Sequence, residues 1–476
     1  DLQTALLFGH ERVVGVDVNQ TFIDLQNNEF AEFTGLASRD EVQLVADEAR
    51  SYLSRTDETF SVIQMSLIDT WAATGAGAFS FTENALYTIE GWQVFLGRLK
   101  PDGLFTVSRW HSPENLGETG RAVSLAVAAL LEAGVANPDR HLAMLTTGNL
   151  STLILSKQPL TSQDIAELRT LERELQYRLE IVPGSPPQNM DLRNIVVAKS
   201  LAELEVQIQD NVFNYTPPTD DSPYFFNMLR LSNLAAALDA GGGVLQGNLT
   251  ATITLVALLF ALGLLCVLTV ILPLLLRRGS PSDSNTNLPR LWRAMLYFGL
   301  IGAGFMFTEI GLIQKLSVFL GHPVYAIGVL LFTIILATGI GSALSEWLPR
   351  RRGPLVAVTL ITALAIIASL YTLSALVAAT ATSSMAVRVV ISIAVITPLG
   401  LFLGLFFPVG MGIAKQQQMP ETPWLWALNG VFGVLASAFA VFVAIYFSIS
   451  TNFYIGSICY LALVPLLTQM VAAKTA

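Results

Sequence analysis

The order of apolar and polar positions divides the chain in two. Over residues 1–200, short apolar runs alternate with amphipathic stretches. Residues 12–18 (RVVGVDV) read as a buried strand ending in an acid, and 42–45 as a second strand, followed by Ala46-Asp47-Glu48-Ala49-Arg50. Residues 60–65 (FSVIQM) read as a third. Residues 89–99 have helical spacing; Lys100-Pro101-Asp102-Gly103 then turns the chain into a strand at 104–107, and 152–156 (TLILS) gives another. Strands alternating with helices imply a mostly parallel sheet with helices on both faces, where ligands sit at the carboxyl ends of the strands.

Residues 201–247 read as a linker with a surface helix. The stretch 215–223 has loop composition, 229–238 is amphipathic, and Gly241-Gly242-Gly243 breaks the chain. From 248 to 476 the apolar runs lengthen, near 249–275, 294–318, 323–348, 354–379, 388–414, 424–448 and 452–472. A bilayer span takes about 20 residues. A soluble helix keeps a wet face, and these runs carry almost no polar stripe. The second holds Glu309 and Lys315 and reads as broken or re-entrant, which leaves a count of six to eight. The fold class expected is therefore an α/β soluble domain followed by an all-α, multi-pass transmembrane bundle.

Composition agrees. Hydrophobic residues make up 53% and charged residues 13%, where a soluble protein has roughly a quarter charged. Residues 1–240 carry a net −16 and residues 241–476 a net +7. The acidic half reads as solvated, and the overall −9 argues against a nucleic-acid partner. Cys266 and Cys459 lie inside apolar runs, and His10, His111, His141 and His322 show no metal-ligand spacing, so no metal is expected.

Three features of the soluble half suit a nucleoside. Asp17 ends a strand, where an acid can accept from both ribose hydroxyls; capping of the next helix is the plain alternative. Asp47-Glu48-Ala49 follows the next strand, where a carboxylate can take an adenine amino group or cap a helix. Leu99-Lys100-Pro101-Asp102-Gly103 is a good turn before a late strand.

In order and spacing, residues 6–19 (LLFGHERVVGVDVN), DEARSYL from Asp47, residues 60–71 (FSVIQMSLIDTW) and 99–103 resemble the polyamine aminopropyltransferases, the spermidine synthases. Residues 219–226 (TDDSPYFF), with the apolar runs behind them and 305–325 within those runs, are similar to the family's membrane-embedded bacterial branch. The resemblance implies a Rossmann-like, class I methyltransferase-like domain. It would bind decarboxylated S-adenosylmethionine or S-adenosylmethionine as substrate and act on an amine or polyamine. It places the chain in a bacterial inner membrane, in contact with the bilayer; a homo-oligomer is left open as a partner.

Carried over by position, the resemblance gives Asp17 the ribose and Glu48 the adenine, with Asp47 one residue out of register. The family's strand leads into two aspartates, a general base and then a polyamine ligand; those positions here are Ser66 and Asp69. A serine cannot take a proton from an ammonium ion near neutral pH. Tyr87 falls where the family's amine pocket is bordered. The family's glycine-rich loop and first strand would precede Asp1, so the domain is expected to be incomplete at its N-terminus.

Within the apolar half, Glu309 is the candidate, because an ionisable residue in a span is a functional hypothesis by default. Pro398 and Pro408, with Gly400, Gly404 and Gly410, should break the fifth run. Basic residues gather in the loops after the first, third, fifth and seventh runs, which the positive-inside rule puts in the cytoplasm. With one span between, the soluble domain would lie on the other side, where adenosyl nucleosides are scarce. The side stays open.

Overall fold

The computed structural model describes residues 1–67, 85–112, 116–233, 244–277, 288–321, 323–380, 382–419 and 422–472. They form two compact units, one mixed α/β and one helical.

In the first unit, β1 (Val13–Asp17) pairs in parallel with β2 (Val42–Ala46). A five-stranded sheet runs in the order β3-β4-β6-β5-β7, from β3 (Phe60–Met65), β4 (Leu99–Trp110), β5 (Leu142–Thr147), β6 (Leu150–Ser156) and β7 (Arg178–Ile181). Only β3 and β4 in it are parallel; the other three pairings are antiparallel. The sheet is thus mixed where a mostly parallel one was expected. The cause is local: Gly148-Asn149 joins β5 to β6 with Gly148 at φ +53, a two-residue connection that only antiparallel strands can use. The turn expected at Lys100–Gly103 is an irregularity inside β4, since Leu99 pairs with Phe60 and Leu104 already with Val62.

Arg12 pairs with Glu58 at 2.6 Å, tying the approaches to β1 and β3 together. Helix α1 (Leu2–Leu7) packs Leu2 on Gly15 of β1, where a Cβ would stand 2.9 Å from Leu2 Cδ1. Beside it, the Asp1 carboxylate accepts from Gln64 Nε2 and Ser66 Oγ of the β3 segment. A cleft of about 710 Å3 opens between β1 and β3.

The core is built on the helix Glu118–Glu132, whose Ala, Val and Leu positions are apolar nearly all round and buried. Such a helix has no stable place except an interior. Trp92, Phe95, Phe105 and Leu155 pack in the same cluster. So do Leu204, Ile208, Phe213, Tyr215, Phe225 and Phe226, from the stretch read as a linker. That expectation is corrected: residues 201–230 belong to the α/β unit. Buried loop backbone needs partners, and Arg121 supplies them, donating to the carbonyls of Thr216, Tyr224, Phe225 and Asn227. Burial, and then Arg230, pull the Arg121 pKa down to about 9. Of the surface helix expected over 229–238, Leu229 is buried and Leu231–Asn233 is a 3-10 turn; residues 234–243 lie outside those described.

The second unit holds seven helices, among the described residues, long and apolar enough to cross a membrane: Thr252–Ile271, Arg290–Leu320, Val324–Leu344, Arg352–Val377, Met385–Gln416, Thr422–Tyr446 and Ile449–Val471. They are called spans one to seven. The second is one unbroken helix, Leu288–Leu320, not broken or re-entrant. Its polar residues face inward, with Thr308 and Gln314 buried, so they do not interrupt it. The fifth breaks at Leu405, between helices Met385–Gly404 and Phe406–Gln416. Glycines let the backbones approach closely. Any Cβ on Gly341 would strike the Leu401 carbonyl, and one on Gly404 the Thr338 carbonyl, which fixes the third span against the fifth. Arg388 donates to the Phe319 carbonyl at 2.9 Å, and Asn452 to the Ala440 carbonyl at 3.1 Å.

Candidate functional site

β1, β2 and β3 each end at a polar residue. Asp17 is the last residue of β1, and Asp47 and Ser66 directly follow β2 and β3. Asp17 Oδ1 accepts from the Asn19 amide at 2.8 Å. Asn19, not Asp17, caps the next helix, α2 (Gln20–Asn27), accepting from Thr21 and Phe22. Asp17 is therefore held by a short turn, half-buried, with Oδ2 free of partners among the described residues. An acceptor fixed in that way at a strand end can take a hydroxyl donor.

The two acids after β2 are committed locally. Glu48 is the N-cap of α3 (Ala49–Arg55): Oε1 accepts from Arg50 N at 2.9 Å and Oε2 from Ser51 N at 2.7 Å. Asp47 Oδ1 accepts from Glu48 N, and Oδ2 pairs with Arg55. Capping accounts for the place of Glu48, and the Arg55 ion pair for that of Asp47. Ser66 donates to Asp1 and lies in a segment of exposed and half-buried residues. Asp69 lies outside the described residues.

Tyr87 is in the core, with no exposed surface, stacked on Phe225 at 4.4 Å between ring centroids. That corrects its expected place bordering a pocket. Its hydroxyl accepts from Arg109. Arg109 Nε stands 3.1 Å from Glu118 Oε2, each side chain 1% exposed, and the guanidinium lies over the Tyr87 and Phe226 rings at 5.2 and 5.3 Å. This ion pair lies near the end of β4, which runs parallel to β3. It is the charged cluster that sequence reasoning missed. His111, next along the chain, is buried, and that burial lowers its pKa.

A second cluster gives the 219–226 stretch a structural task. Arg50 makes a bidentate pair with Asp220 at 2.6 and 2.7 Å, Thr88 donates to Asp220 at 2.9 Å, and Asp220 N donates to Glu90 at 3.0 Å. Burial, then the Asp220 charge, raise the Glu90 pKa. In the helical unit, Glu309 is 8% exposed with no ion-pair or hydrogen-bond partner among the described residues. No group of three or more His, Cys, Asp or Glu able to hold a metal occurs among the described residues. No protein-family model matches the chain, and no curated protein matches it.

Proposed function

We propose that the chain is a membrane-bound, spermidine synthase-like transferase of the bacterial inner membrane, whose α/β unit binds an S-adenosyl-type nucleoside and acts on an amine. The observation that carries this reading is Asp17: a carboxylate at the end of a parallel strand, pinned through one oxygen and open at the other. Of the acids that the resemblance assigns to the nucleoside, Asp17 keeps one oxygen open and would hold the ribose. Asp47 and Glu48 each already take one partner per oxygen, so an adenine amino group would be a further donor to a carboxylate that is already held locally.

In aminopropyl transfer, an amine nitrogen attacks the propyl carbon on the sulfonium, the carbon–sulfur bond breaks, and methylthioadenosine leaves. The amine must first lose a proton. Ser66 stands where the family keeps the base, and a hydroxyl cannot serve. This favours a second reading on the same fold: methyl transfer from S-adenosylmethionine, or binding without chemistry in a sensor or transporter.

The test is a product assay on the full-length protein with decarboxylated S-adenosylmethionine and putrescine. Native protein should make spermidine slowly or not at all, and Ser66→Asp should raise the rate toward the roughly 10²–10⁴-fold that a general base contributes. Fast native synthesis, unaffected by Asp69→Asn, would remove the assignment of this strand. Nucleoside binding without product in either form would favour the second reading.

A further inference from the structure

The break in the fifth span borders a cavity of about 550 Å3 within the helical unit, a size suited to a small ligand. Its walls come from the second, third, fifth, sixth and seventh spans. On the third span Ile335 is 66% exposed, and on the sixth Val434 is 55% exposed. Both line the cavity, so its mouth lies between those spans and faces hydrocarbon in a bilayer. Gly430, beside Val434, is exposed too, with no atom within 4 Å of where a Cβ would stand.

No lining residue carries a charge. A polyamine here would bring several positive charges into a low dielectric with no carboxylate to meet them, which is prohibitive. Glu309 is on the second span, four residues beyond the lining residue Phe305, but is not part of the wall. The wall is nevertheless not wholly apolar. Tyr460 is 1% exposed, and its hydroxyl makes no hydrogen bond among the described residues. Asn429 commits Nδ2 to the Phe298 carbonyl at 3.1 Å, and its Oδ1 receives no donor among the described residues. The Gly404 carbonyl loses its usual in-helix donor, because Pro408 has no N–H. Thr338, Ser342 and Ser437 line it too, with the Thr338 hydroxyl bonded to the Ile334 carbonyl and that of Ser437 to the Val434 carbonyl, so a few polar groups border an otherwise apolar chamber open to lipid.

We propose that this cavity binds a neutral, long-chain amphipath carrying a hydroxyl or amide at one end, which enters sideways from the bilayer. The polar end meets Tyr460, Asn429 and the Gly404 carbonyl, and the chain lies along the apolar wall toward the mouth. The site is independent of the nucleoside reading.

The test is photolabelling of the full-length protein in lipid nanodiscs with a diazirine-bearing twelve-carbon alcohol, followed by peptide mapping. Saturable labelling is expected on the third and sixth spans, displaced by 1-dodecanol and not by dodecylammonium. Gly430→Phe fills the open space and should abolish it, while labelling of lipid-facing positions on the first span persists. Tyr460→Phe keeps the ring against Phe406, 4.9 Å away, so the fold is preserved; it should weaken labelling by about three- to tenfold, the worth of one hydrogen bond. Glu309→Gln should change nothing. Labelling that does not saturate, that survives both Gly430→Phe and Tyr460→Phe, or that dodecylammonium displaces through Glu309 would overturn the proposal.

Discussion

Arg109 and Glu118 form a buried ion pair, and its energetics are asymmetric. Removing one partner strands the other charge, at a cost of about 3–5 kcal/mol, whereas replacing both with apolar groups is often neutral. Arg109→Met should therefore destabilise the α/β unit strongly in chemical denaturation, and Arg109→Met with Glu118→Leu should recover most of the loss. Equal destabilisation by the single and double variants would contradict the pairing. Arg109 was legible in part: it falls in step with Phe105 and Val107 on the inward face of β4. A cation in that register signals a buried partner, but the sequence could not say that the partner was nine residues away. Glu90 gives a pH-dependent prediction. Its folded pKa is raised by burial and then by Asp220, so its contribution favours folding below the ordinary Glu pKa and is lost as pH rises through the raised value. Glu90→Gln should thus gain stability relative to native as pH climbs through that window, read from thermal midpoints across pH. A constant difference would show that Glu90 does not titrate in this way.

At the scale of elements, caps and close contacts make the claims testable. Glu48→Ala removes two acceptors from the first turn of α3 and should cost about 0.5–2 kcal/mol, with Glu48→Ser recovering most of it. If Glu48 acted mainly on a nucleoside instead, stability would hold and affinity would fall. Gly341→Leu should force the third and fifth spans apart, because the new Cβ meets backbone, not a movable side chain. A thermal midpoint unchanged from native would contradict that packing. The spans were legible because a bilayer demands long apolar runs, and no other solvent does. Asp17, β1, β2 and β3 were legible from strands ending in polar residues. The 201–230 stretch was not, because its Pro, Asp and Ser composition says loop, while its burial depends on Arg121 reaching four of its carbonyls from a distant helix. Nor was the antiparallel half of the sheet, where the Gly148 turn sets the pairing of β5 with β6 and the four-residue β7 joins β5 only after a long crossover.

For the whole molecule, an acidic α/β unit precedes a basic, helical unit with seven helices fit to cross a membrane. In the function proposed above, Asp17 anchors a nucleoside in the first unit; the second holds a cavity with an uncharged lining. The most direct measurement is calorimetric titration of the full-length protein in nanodiscs with S-adenosylmethionine and its decarboxylated form, native against Asp17→Ala. The account predicts native binding of at least one of them. In Asp17→Ala that affinity should fall by about ten- to a hundredfold or more, since hydrogen bonds to a charged acceptor are worth roughly 1.5–3 kcal/mol. Equal affinity in the two proteins, or no binding by the native one, would contradict it.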